Sequence, residues 1–251
     1  SGAAAPSAPA SLTASGAPAP VAIAEKTSVI ETDLYRATFS NRGARLVSFE
    51  LKRFAAAHGK SRYAEFPSRR PKRGAEVPDG DRVSLGGEPT FAIDLGSAQS
   101  ARSLANVTYE VAESTDAAGA IRALTYVTRD SSGFVFRQTW RVRPDSYLLD
   151  LEVETQRVPD AWRVSDYSMT FRSWPLLTEA NPANDLRGLR GVSLVGKDLH
   201  RDAAAGLIGK SAKQHDGVAH WAGVQSHYFM AIVATLGADG RFFDTKPEPP
   251  L

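Results

Sequence analysis

The sequence predicts an all-β chain folded as a twisted antiparallel sandwich, and three observations predict it. Apolar and polar residues alternate in run after run, turn residues such as SNRG, DSSG and RPDS separate the runs, and helical periodicity is not sustained for long anywhere. With 251 residues, 42% of them hydrophobic, the chain can bury a sizeable core as one large β domain or two ordinary ones.

The first segment, SGAAAPSAPASLTASGAPAPVAIA, carries no charge before Glu25 and consists almost entirely of small residues. It cannot bury enough side chain to offset the entropy of ordering, so residues 1–26 read as a flexible linker and residues 27–251 as the folded domain. Such a linker fits a piece of a longer protein or an ordinary N-terminal tail. From Val29 the strands begin. In DLYRATF, Tyr35, Ala37 and Phe39 share one face; after SNRG, RLVSFELKRF puts Val47, Phe49 and Leu51 on a common face. The two runs form a hairpin, with Gly43 supplying the positive φ of the turn or an adjoining bulge.

Residues 55–82 lose periodicity and gather Pro, Gly and Arg, which marks a long excursion between strands. Within it, Arg69, Arg70, Lys72 and Arg73 form a basic cluster, readable as a solvated loop or as a contact for acidic lipid headgroups or an acidic partner. The central ALTYVTRDSSGFVFRQTWRVRPDSYLLDLEVETQ predicts three strands of an antiparallel meander. Phe134, Phe136, Trp140 and Val142 fall on one face, and Tyr147, Leu149, Leu151 and Val153 on one face of the next strand. Gly133 closes the first turn and Pro144 presets φ in the second. Beyond, YSMTFRSW and GVSLVG predict further strands, whereas PLLTEANPANDLRGLR and KDLHRDAAAGLIGKSAKQHDG read as loops with at most short helical turns.

Composition excludes several functions. There are no cysteines, hence no disulfides, thiolate nucleophiles or cysteine-ligated metals. A net charge of +2, from 30 basic and 28 acidic residues, gives no global field for nucleic acid. The longest nearly unbroken apolar run, YFMAIVATLGA, is too short to cross a bilayer as a helix. No GxSxG elbow, Walker loop or GxGxxG after a strand is found. His200, His215, His220 and His227 crowd the last quarter, but spacings of five and seven fit neither strand nor helix ligation, so single exposed or hydrogen-bonded histidines are expected. Asp150, Glu152 and Glu154 alternate opposite an apolar face and read as the solvated side of a sheet. No cofactor, metal site or catalytic residue is predicted.

HWAGVQSHYFMAIV holds Trp221, Tyr228 and Phe229, the remaining candidates for a cleft or for core. Alternation over YFMAIVATL predicts a central strand buried on both faces, entered through a bend shaped by Gly223 and Gln225.

Taken together, TDLYRATFSNRGARLVSFELKRF, FRQTWRVRPDSYLLDLEVETQ and HWAGVQSHYFMAIV resemble, in order and spacing across residues 27–236, the large periplasmic domain of the YidC/Oxa/Alb family of membrane protein insertases. The resemblance implies a β-supersandwich of the galactose mutarotase-like kind on the periplasmic side of the bacterial inner membrane. It also implies contacts with Sec translocon accessory subunits and client membrane proteins, and attachment through transmembrane helices outside this sequence. By the same resemblance the chain stops, at KPEPPL, before the last strands of the domain. The domain alone would then be a non-catalytic scaffold or docking module. The alternative is a carbohydrate-binding or aldose-epimerase-like protein on the same fold, which needs a His–carboxylate pair flanked by aromatic platforms.

Overall fold

A computed structural model describes residues 23–56, 72–86, 89–96, 102–162, 164, 167–172, 174–175, 181–236 and 240–245. The predicted hairpin comprises β2 (Tyr35–Ser40) and β3 (Arg45–Ala55), preceded by β1 (Thr27–Glu31), which pairs with β2. Tyr35, Ala37 and Phe39 are all fully buried, as their alternation predicts. On β3 the phase slips once. A bulge sets Phe39 opposite Leu46, so Leu46 joins Phe49 and Leu51 in the core while Val47 is half-buried.

Gly43 adopts φ +73°, and a Cβ there would stand 2.5 Å from the Ala105 carbonyl oxygen, so the turn needs glycine for both conformation and room. The turn is also a junction. Asn41 is buried; its Nδ2 donates to the Ala24 and Tyr109 carbonyls at 3.0 Å each, and its Oδ1 accepts from Lys26 N at 2.7 Å. The next carbonyl but two, Ala44 O, accepts from Gln138 Nε2 and Trp140 Nε1, both at 3.3 Å.

Downstream, β4 (Arg82–Gly86) extends the first sheet and β12 (Trp174–Pro175) completes the order β1-β2-β3-β4-β12. The predicted meander is β8 (Ile121–Arg129), β9 (Val135–Val142) and β10 (Leu149–Gln156), joined by β7 (Glu110–Thr115) in the order β10-β9-β8-β7. Phe134, Phe136, Trp140 and Val142 are buried together. On the outer side of β10, Asp150 pairs with Arg143 just past β9, and Glu152 and Glu154 pair with Arg141 and Arg137 of β9, which makes them the solvated face. A small sheet of β5 (Ala92–Leu95), β6 (Arg102–Ser103) and β11 (Tyr167–Thr170) adds Ile93 and Leu95 to the same core.

The β1–β4 and β7–β10 sheets meet through aromatic rings, as in a sandwich. Trp140 lies 5.2 Å from Phe39 across the interface and 4.9 Å from Phe91, and within the first sheet Tyr35 stacks on Phe49 at 4.5 Å. The interior is dry enough that burial pushes the Tyr35 hydroxyl up to about 12, and raises those of Tyr109 and Tyr126 as well.

A further sheet contains β13 (Arg190–Val195), β14 (Asp198–Ala203), β15 (Lys213–Gln225), β16 (Met230–Ala234) and β17 (Gly240–Thr245). Its order is β14-β13-β15-β16, with β17 also on β15. This corrects the loop reading of 197–217: β14 and the start of β15 are strands there, linked by the 3-10 turn Ala204–Gly206. Their sequence lacks apolar alternation because the half-buried and buried positions of β14 are His200 and Asp202 rather than hydrophobes. The bend of β15 also lies elsewhere than expected. The register shifts between Asp216 and Ala219, around Gly217 at φ +140°, whereas Gly223 lets β16 approach closely, since a Cβ there would sit 2.2 Å from the Ala231 carbonyl oxygen. One helix, α1 (Pro182–Gly188), precedes β13, with Asn181 capping its first turn.

Candidate interaction surface

Of the predicted basic cluster, Lys72 and Arg73 lie exposed in a turn, and Arg69 and Arg70 fall outside the described residues. The aromatic cluster is dispersed. Trp221 is half-buried in mid-strand opposite Ala234 of β16, Tyr228 is 68% exposed, and only Phe229 packs against the main core, edge-on to Phe54 at 5.5 Å. Phe54 in turn meets Tyr147 at 6.2 Å, and Tyr147 meets Tyr35 at 6.4 Å. These rings form a seam from the sandwich core to the tip of the β15–β16 hairpin.

The expectation of a strand buried on both faces is overturned. Met230 and Ile232 on one face of β16 are each 50% exposed, and Tyr228 before the strand and Leu236 after it are 68 and 85% exposed; Phe229, Ala231 and Val233 are half-buried. Alternation reports two faces but not whether a layer covers each. Here β16 is the last strand in its sheet order, and no described residue closes over its apolar stripe. An edge strand with an apolar face is suited to receive a partner.

The histidines divide as well. His220 is exposed at the step where the β13–β15 register shifts, and His227 is exposed with its ring over Gly188, where a Cβ would collide at 1.9 Å. His200 and His215 come together, contrary to the expectation of single histidines: their rings stack at 3.8 Å. His215 Nε2 lies 2.6 Å from Asp202 Oδ2, and Lys213 Nζ donates a short hydrogen bond to Asp202 Oδ1. Burial alone would raise the Asp202 carboxyl, but hydrogen bonds from Lys213 and His215 outweigh it and hold the group below the usual carboxylate range. Sequence reading missed this cluster because its members, up to fifteen residues apart, lie on β14 and β15, which β13 separates in the sheet, with no motif spacing.

Chemically the cluster is self-satisfied. No group of three metal-ligating side chains is assembled among the described residues. A His–carboxylate pair does exist, but the ring seam lies at the other end of β15, ten residues and so roughly 30 Å along the strand. In the ladder with β17, Phe243 stands opposite His215.

No family model matches the chain. It is 29% identical over 215 residues to a membrane protein insertase YidC of Treponema denticola, covering 83% of this chain and 34% of that protein. It is 25% identical over 211 residues to a YidC of Syntrophus aciditrophicus, covering 83% and 36% respectively. Over most of its length the chain is similar to YidC insertases. It spans about a third of the length of these curated YidC relatives. No described helix is long and apolar enough to cross a membrane. What the described residues offer instead is surface: the apolar edge of β16, the seam at Phe54 and Phe229, and a shallow recess of about 420 Å³ where β14 turns into β15.

Proposed function

We propose that this chain is the periplasmic domain of a bacterial inner-membrane YidC insertase, a non-catalytic scaffold or docking module that helps integral membrane proteins insert and fold, alone or with the Sec translocon. The observation that carries this reading is the likeness of 83% of the chain to YidC proteins over only about a third of their length. An all-β body with its aromatic core inside and an apolar strand edge outside supports docking rather than catalysis. The partners proposed are client membrane proteins and the translocon accessory subunits. The basic segment Arg69, Arg70, Lys72 and Arg73 belongs to the same proposal, as a contact for acidic headgroups or an acidic partner. The supersandwich likeness to the mutarotase fold, with residues 1–26 as a flexible tether, is part of it too.

This sequence has no cysteine, so a single one introduced here into a full-length protein otherwise stripped of cysteine labels a known position. Tyr228→Cys should react with a membrane-impermeant maleimide in intact cells, well above the unsubstituted parent; labelling only after lysis would contradict the periplasmic placement. A photoreactive residue at Ile232 should yield adducts with translocon subunits or nascent membrane proteins. Adducts with neither would sink the docking role.

A further inference from the structure

The connection between β14 and β15 has a composition and a shape that the insertase reading does not use. After the 3-10 turn, Leu207 is buried at 8% exposure, and the backbone is pinned by Leu207 N to Ala204 O and Lys210 N to Leu207 O, both at 3.0 Å. Ile208, the next residue, is 73% exposed. A loop anchored by its own Leu207 that still holds Ile208 in water is not simply unpacked. Gly209 at φ +72° sets the return of the chain.

Around this tip the charge is one-sided. Arg201 and Lys210 line the recess of about 420 Å³ beside it and have no ion-pair partner among the described residues. Lys213 also lines it but is engaged by Asp202, the one carboxylate there, which is 5% exposed and shielded by its partners. Segments 186–190 and 203–213 contain no acidic residue. The C-terminal end of α1 packs beside the 3-10 turn and adds Leu186, 50% exposed, and Arg187, also exposed. An exposed branched aliphatic at a loop tip, ringed by unpaired cations, is complementary to the boundary between anionic headgroups and acyl chains.

We propose that this tip binds the surface of an anionic phospholipid bilayer, with Ile208 entering the headgroup–acyl boundary and Arg201 and Lys210 holding a lipid phosphate at the recess. The biological sense of the contact rests on the membrane-side placement proposed above, but the contact itself is a property of the isolated chain.

Flotation of the 251-residue chain with vesicles tests it. Binding is expected to phosphatidylglycerol–phosphatidylcholine vesicles at low salt, to fall steeply at high salt, and to be weak on phosphatidylcholine alone. Arg201→Gln and Lys210→Gln should each weaken binding about five-fold, and Ile208→Ser at least as much. All three positions are exposed, so unchanged far-UV circular dichroism and urea midpoints should accompany the loss. Wild-type binding by the triple variant would overturn the proposal. So would abolition of vesicle binding by millimolar inorganic phosphate at constant ionic strength, which would make the recess a site for free phosphate. Loss of vesicle binding with periplasmic labelling of Tyr228→Cys intact refutes this inference alone; the reverse pattern refutes the placement alone.

Discussion

The sandwich built from residues 27–156 and the sheet built from residues 190–245 bury different things. In the first, the largest fully buried side chains are Trp140, Tyr35, Tyr109, Tyr126, Phe39 and Phe136, and they form one continuous cluster. In the second, the buried hydrophobes among the residues whose burial is described are Val192, Val195, Leu207 and Ala219, none of which joins that cluster. Ser193, Asp202, His215 and Ser226 are buried alongside them, while Tyr228, Met230, Ile232, Leu236 and Ile208 stand in water. Burial of large apolar area drives cooperative folding, so the first region should hold the stability of the chain. The second withholds its apolar surface from the fold, which is what an interaction element requires, and its backbone should open at lower free energy.

That contrast can be broken most forcefully from the core. Trp140→Ala removes a side chain 1% exposed that touches Phe39 and Phe91 and donates to Ala44 O, and should cost about 3–5 kcal/mol in urea unfolding. Asn41→Ala strands the Lys26 amide and the Ala24 and Tyr109 carbonyls, and should cost about 1–3 kcal/mol by the same measurement.

In the C-terminal sheet the corresponding lever is electrostatic. Because the folded Asp202 carboxyl lies below its ordinary value, its contribution is complete above about pH 4 and disappears as pH falls through the lowered value. Asp202→Asn should therefore remove about 1–2 kcal/mol of amide protection from β14 and β15 at pH 7 and flatten the acid limb of that protection. Protection of β8 and β9 should be unmoved. Among the smallest effects, Arg141→Ala breaks a half-exposed pair with Glu152 and should change stability by no more than about 0.5 kcal/mol. Ile232→Ser should be equally mild for folding, yet should reduce self-association measured by light scattering, because it interrupts the exposed stripe of β16.

Legibility in the sequence followed the same division. The meander could be read residue by residue, because Phe134, Phe136, Trp140 and Val142 alternate against a face of paired charges. Even there, the bulge that exchanges Val47 for Leu46 left no mark, and the buried Gln138 hid as a polar residue in a core position, its Nε2 donating to a carbonyl 94 residues away. In the C-terminal sheet, β14 carries charge at half of its positions and lacks the period of a strand, so only its ladder with β13 reveals it. The alternation of Tyr228 to Val233 was visible but ambiguous, since covered and uncovered faces share one pattern. The stacking of His200 on His215, and the contact of His215 with Asp202, depend on how the sheet places β14 relative to β15, which no spacing in the sequence encodes. Trp221, Tyr228 and Phe229 are neighbours in sequence that three different environments separate.

Native-state hydrogen exchange under increasing urea would test the division most directly. Amides of β2, β8 and β9 should exchange only through global unfolding, with one common free energy and a large urea dependence. Those of β14, β15 and β16 should exchange through a smaller, separate opening at lower free energy. A single isotherm shared by both sheets would contradict the account, since it would mean that the exposed, polar-centred sheet is as much a part of the cooperative core as the aromatic sandwich.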